Sequence, residues 1–137
     1  MAKKPLLYLI LGDLTSAVKG ISEKVYLDRP KTTPVEVTNF IVADIPTEVR
    51  GRIKGSLGVM ADCFGTFTIF CKSKDDGTPA IEKQSDLTQK VLDLFPINGK
   101  HITATHPTIL MQDADGFGYH VTEITFKLRT KFNAREI

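Results

Sequence analysis

The stretch YHVTEITFKLRTKF, residues 119 to 132, alternates more strictly than any other part of the chain. Ile124, Phe126, Leu128 and Phe132 share one face with Thr130 among them, while Glu123, Thr125, Lys127, Arg129 and Lys131 share the other. A period of two over this length predicts a strand with one side on a core and one side facing water. From Val35 the same period returns. Val35, Val37, Asn39, Ile41, Ala43 and Ile45 fall on one face, and Glu36, Thr38, Phe40, Val42 and Asp44 on the other, until Pro46 stops the run. The second face of that strand is itself partly apolar. Shorter strand signals occur at KVYLD, in VMADCFGTFTIFC and at TILMQ.

Two segments have helical spacing instead. Leu7, Ile10, Leu11, Leu14, Val18 and Ile21 recur at three- and four-residue steps, Pro5 suits a first helical position and Gly20 a stop. The opening MAKKPLLYLILGDL superficially resembles a secretory leader, but Gly12 and Asp13 interrupt it and its helical spacing runs on, so it reads as part of the mature fold. In the second helix Thr78 and Pro79 are read as cap and first residue, and Ile81, Leu87, Val91, Leu92, Leu94 and Phe95 supply the apolar side.

The order is therefore helix, three strands, helix, two strands. Blocks of strands on either side of a helix predict an α+β fold: a mainly antiparallel sheet of about five strands with two helices packed on one face. At 137 residues, 42% apolar and 25% charged, the chain suits one globular domain spanning 1–137. A formal net charge of +2 is too small to argue by itself for nucleic acid or an anionic membrane, and no apolar run is long enough to span a bilayer. Cys63 and Cys71 lie in one expected strand, where eight residues span roughly 26 Å. A disulfide between them is excluded, and free thiols fit synthesis in a reducing cytoplasm.

DADGFGYH, residues 113 to 120, invites a calcium-loop reading. Counted from Asp113, however, the fifth position is Phe117 and the twelfth Ile124, so an oxygen ligand and the closing carboxylate are missing. Asp115-Gly116 between two strand-like runs is a hairpin signal, because both positions tolerate positive φ. It is read as a turn. EVRGRIKGSLG lacks the spacing of a phosphate-binding loop, since Gly51 and Gly55 are four apart and Ser56 comes next. It reads as a flexible basic arm at about 46–58, along which Arg50, Arg52 and Lys54 alternate and project from one edge. Such residues serve to meet phosphates or an acidic surface, or are simply solvated. The same choice holds for Lys127, Arg129 and Lys131, since lysine on a strand also discourages unwanted pairing. His101, His106 and His120 lack the companion spacing of a zinc site, and no nucleophile elbow or dinucleotide loop is present. No cofactor and no catalytic residue are expected.

EKVYLDRPKTTPVEVTNFIVADIP resembles the first hairpin of the tail terminator family of tailed bacteriophages and the related tail-completion and connector proteins. The polar arm before the third strand, the helix AIEKQSDLTQKVLDLF after it, and the terminal DADGFGYHVTEITFKLRTKF are similar to the family's arm, helix and aspartate-glycine turn with final strand. The resemblance implies a structural virion protein of the tail or neck, made in the host cytoplasm. It implies a ring of six or twelve copies that joins tail tube to connector or portal around the DNA channel, with non-specific DNA contact there. It makes Arg50, Arg52, Lys54, Lys127, Arg129 and Lys131 candidates for the subunit interface or the channel. The alternatives are a monomeric nucleic-acid-binding α+β domain using the same residues, which needs aromatic side chains among them for stacking, and a small enzyme with a dispersed active site.

Overall fold

The computed structural model describes the backbone of residues 6–26, 38–44, 50–55, 58–114 and 118–132, and the side chains of 9–26, 38–44, 64–111 and 118–130. Two helices and seven strands succeed one another as α1 (Leu6–Val18), β1 (Lys24–Tyr26), β2 (Asn39–Asp44), β3 (Arg50–Gly55), β4 (Gly58–Lys72), α2 (Ile81–Leu92), β5 (Ile97–Asn98), β6 (Ile102–Ala114) and β7 (Tyr119–Phe132). All strands join one sheet in the order β1-β2-β4-β7-β6-β5, with β3 pairing β4 off that path. β4 and β7 form its spine, in unbroken antiparallel register from Val59↔Phe132 to Lys72↔Tyr119.

The alternation in β7 divides the sheet into two faces. Ile124, Phe126, Leu128 and Thr130 are buried beneath the helices, while Lys127 and Arg129 are exposed. The helix-side core joins Ile10, Leu14 and Val18 of α1, at steps of four, and Leu87 and Val91 of α2 to Ile41, Ala43, Phe67, Ile69, Ile102 and Ala104 of the sheet. Both helices thus lie on one face, as expected. Burial of such side chains is the main favourable term, each contributing about 1.5–3 kcal/mol relative to exposure. At the middle of the spine Gly65 lies opposite Phe126. A methyl group on Gly65 would stand 2.6 Å from the Phe126 ring, so the glycine's bare backbone is what seats that ring among Phe67 and Phe95.

The far face carries a smaller core of Phe40, Val42, Phe70, Tyr119 and Val121, with Tyr26 packed against it. Phe40 stacks on Phe70 with centroids 4.5 Å apart and meets Tyr26 and Tyr119 edge-on. This explains the partly apolar second face of β2, five of whose six residues are buried.

Several expectations are corrected. The sheet is mixed and larger than five antiparallel strands, because β1 runs parallel to β2, with Lys24 opposite Phe40. KVYLD and the strand after it therefore do not make a hairpin; the span between Tyr26 and Asn39 has the dozen or so residues that a parallel connection requires. Part of the basic arm is itself a strand: β3 pairs antiparallel with β4, closing at Gly55↔Gly58. Thr78 does not cap α2. Ala80 holds that position without a side-chain hydrogen bond, while the Thr78 hydroxyl and N–H both donate to Asp76 Oδ1, at 2.6 and 3.0 Å, in the preceding turn. PINGKH, for its part, contributes the two-residue strand β5.

Gly20, expected as the stop of α1, has φ +90° just past the helix end. Pro5, Val35, Val37, Ile45 and the Asp115-Gly116 turn lie outside the described residues. Cys63 and Cys71 stand on the same strand, and the Cys71 thiol is free and buried. No described helix is long and apolar enough to cross a membrane.

Candidate functional site

The basic residues singled out in the sequence come from two segments more than seventy positions apart, and the register of β4 draws them together. β2 and β3 share one edge of β4 in tandem, β2 along Thr66–Cys71 and β3 along Gly58–Asp62. The opposite edge of β4 is β7. Arg50 therefore lies opposite Asp62, which lies opposite Arg129, in one cross-strand row. The next row joins Ile53, Met60 and Lys131, and Lys127 stands further along, opposite Phe64. Arg50, Arg52, Lys54, Arg129 and Lys131 thus fall on the end of the sheet where β3 pairs β4, with Asp62 set between Arg50 and Arg129, while Lys127 stands near the middle of the spine.

The arm does not keep the alternation expected of it. The register shifts between Arg50 and Ile53, where Arg52 sits, so that Arg50 shares a row with Arg129 while Lys54 shares one with Val59 and Phe132. A bulge adds one residue to a strand and reverses the parity beyond it. The side chains of Arg50, Arg52, Lys54 and Lys131 lie outside the described residues; those of Lys127 and Arg129 are exposed.

Phe64 was not singled out by the sequence reading, because its strand reads as core throughout. It is 47% exposed beside Lys127 on the far face. The signal that identifies it is parity: Phe67, Ile69 and Cys71 claim the odd positions of β4 for the helices, which leaves Phe64 on the other side.

The histidines serve three different contacts. The Asp13 carboxylate accepts the backbone N–H of His101 at 2.7 Å and stands 3.7 Å from its Nδ1, tying α1 to the β5–β6 turn. His106 sits at φ +58° where the β6–β7 register shifts between Thr105 and Thr108. His120 Nδ1 lies 2.7 Å from Ser73 Oγ. A hydroxyl against an imidazole is the first half of a nucleophile–base arrangement, but among the described residues no carboxylate bonds to that imidazole, so the orienting member of a triad is missing. Among the described residues no group of His, Cys, Asp and Glu is placed to hold a metal ion.

The exposed Glu23 carboxyl is held below its ordinary range, chiefly because it accepts the Thr38 hydroxyl hydrogen bond, with the Thr38 N–H adding to it. Glu23 N–H in turn donates to Asn39 Oδ1 at 2.9 Å, which fastens the start of β1 to β2. The Cys71 thiol is pushed up by burial, which keeps it protonated and unreactive.

No family model matches this sequence, and no curated protein matches it. One solved structure shares its fold with a TM-score of 0.61 at 13% identity, over 94% of this chain and 98% of the other. At that identity the likeness is one of fold alone.

Proposed function

We propose that the chain is a structural subunit of a tailed-phage virion, forming a ring at the tail or the head–tail neck, joining tail to connector around the DNA channel, and carrying out no reaction. The observation that carries this reading is the gathering of Arg50, Arg52, Lys54, Arg129 and Lys131 on one end of the sheet, with Lys127 following towards its middle. A ring of identical subunits uses head-to-tail contacts that close on themselves, and a basic end repeated around six or twelve copies gives a channel wall suited to a polyanion. The resemblance of the arm, the second helix and the final strand to those of tail terminators supports the same reading, whereas the first hairpin of that resemblance is not formed. Electron microscopy of the purified protein over a concentration series, with solution mass, tests it. Closed rings are expected, their symmetry separating six copies from twelve. A single chain at every concentration, and also in the presence of tail-tube or connector proteins, overturns it.

One observation favours a second reading. Exposed Phe64 beside Lys127 supplies the aromatic neighbour that a single-stranded nucleic-acid site needs. On that reading DNA affinity falls steeply with salt, by a slope of about 0.7 per phosphate contact for a single strand, and Phe64→Ala weakens binding at constant slope. A monomer with no salt-dependent binding sinks it.

A further inference from the structure

We propose that the outer edge of β6 from Thr108 to Gln112 is a pairing edge for a second copy of this chain, met antiparallel about a two-fold axis. The inference rests on the edge itself and does not depend on the ring reading. β5 covers β6 only at Thr103 and Ala104. Beyond them, among the described residues, no strand lies on that side, while β7 continues to hold the inner side to Ala114. An open edge presents a row of backbone donors and acceptors that another strand can match.

Such edges are ordinarily guarded by charge, by proline, or by a bulge that turns them away. The other open edges among the described residues are guarded: β1 starts at Lys24 just after Glu23, β3 carries Arg50, Arg52 and Lys54, and β5 is two residues long before Lys100. On β6 the guards are Pro107 and the bulge around His106, and both end before Thr108. Residues 108–112, Thr-Ile-Leu-Met-Gln, carry no charge. Ile109, Leu110 and Met111 are 44%, 57% and 63% exposed, and Ile81, opening α2, is 66% exposed.

Charge and parity decide the occupant. Like charges opposite each other oppose strand pairing, so the charged β3 edge resists self-pairing whereas this uncharged stretch does not. Ile109 and Met111 stand opposite Ile124 and Thr122 on the helix side, and Leu110 opposite Glu123 on the far side. A register centred on Leu110 puts Ile109 beside Met111 of the second copy on one face and the two Leu110 residues together on the other. Asp113 then falls opposite Pro107 and His106 opposite Ala114, so no like charges meet. Met111 is already fixed in place: Thr122 Oγ1 donates to its sulfur at 3.4 Å and accepts from Gln84 Nε2 at 2.8 Å, linking the patch to α2. The patch is smaller than the roughly 800 Å² per partner of a standard interface, which makes the contact a weak, concentration-dependent one.

Solution mass is measured from micromolar to millimolar protein for the native chain and for Leu110→Lys, an exposed position whose replacement leaves the core intact. The native chain is expected to double its mass across this range, from one copy to two or from one ring to a pair of rings, and Leu110→Lys to weaken that doubling by about tenfold or more, since it sets two lysines opposite each other. Leu110→Cys is expected to crosslink into a covalent dimer on mild oxidation, with the native chain as control, because the register brings the two Cα atoms within disulfide reach. A mass that never doubles overturns the proposal. So does a dimer that survives Leu110→Lys and fails to crosslink through Leu110→Cys. Slowed amide exchange at 108–112 only when anionic vesicles are added overturns it too, and assigns the patch to a lipid surface. Rings that persist in Leu110→Lys while this contact is lost leave the ring reading standing.

Discussion

The helix-covered face and the far face of the sheet are made by the same strands, each giving alternate residues to both. Under the helices the apolar positions run on from β2 through β4 and β7 to β6, and the cluster is continuous. On the far face they gather around Phe40, Phe70 and Tyr119 beside β1, and the rest passes to Phe64, Lys127 and Arg129. A strand that is buried on both sides in one half and on one side in the other anchors the fold with the first half and offers the second to a partner. Stability and contact are thereby separated along the strands as well as across them.

That contrast can be broken by substitution. Phe67→Ala, under the helices at 0% exposure, is expected to destabilise by about 3–5 kcal/mol, read from the midpoint of urea unfolding. Phe40→Leu removes the stacked and edge-on contacts of the far-face aromatics and is expected to cost about 1–2 kcal/mol. If Phe40→Leu costs as much as Phe67→Ala, the two faces are not unequal anchors. Lys127→Ala and Arg129→Ala are expected to leave stability within about 0.5 kcal/mol while lowering the salt slope of any DNA binding; a large loss of stability in either would move the basic end from contact to scaffold.

The smallest expected effect is a pH dependence at the β1–β2 junction. Because the folded-state pKa of Glu23 is lowered from 4.5, its contribution is present above that value and lost as pH falls through the folded one. The thermal unfolding midpoint of the native chain should fall on acidification in that range, and Thr38→Val should flatten the response. An unchanged acid profile in Thr38→Val would remove the junction from the account.

The alternation of β7 and the four-residue steps of α1 made the α+β class and the helix-side core readable from the chain. Those patterns report which side of an element meets apolar neighbours, and burial enforces them. The parallel β1–β2 pair was not readable, because RPKTTP signals a break without saying which way the chain returns. Thr78 failed as a cap because Asp76, two residues earlier, competes for its hydroxyl and N–H. For the candidate site, the sequence named the basic residues but not their meeting, which depends on β4 lying between two distant segments. The register shift between Arg50 and Ile53 was not read although Gly51 falls inside it and a glycine within a strand signals a bulge, and Phe64 was hidden among apolar neighbours that face the other way.

Gly65 has a bearing on motion as well as on packing. The Phe126 ring is confined by Gly65, by Phe67 at 4.9 Å and by Phe95 at 5.2 Å between centroids. An aromatic ring half-turns about its own axis only when its neighbours draw back together, so the frequency of that half-turn records how often the spine breathes. The seat made by one missing methyl group thus makes the half-turn of Phe126 a reporter of how freely the packing between β4, β7 and Phe95 loosens.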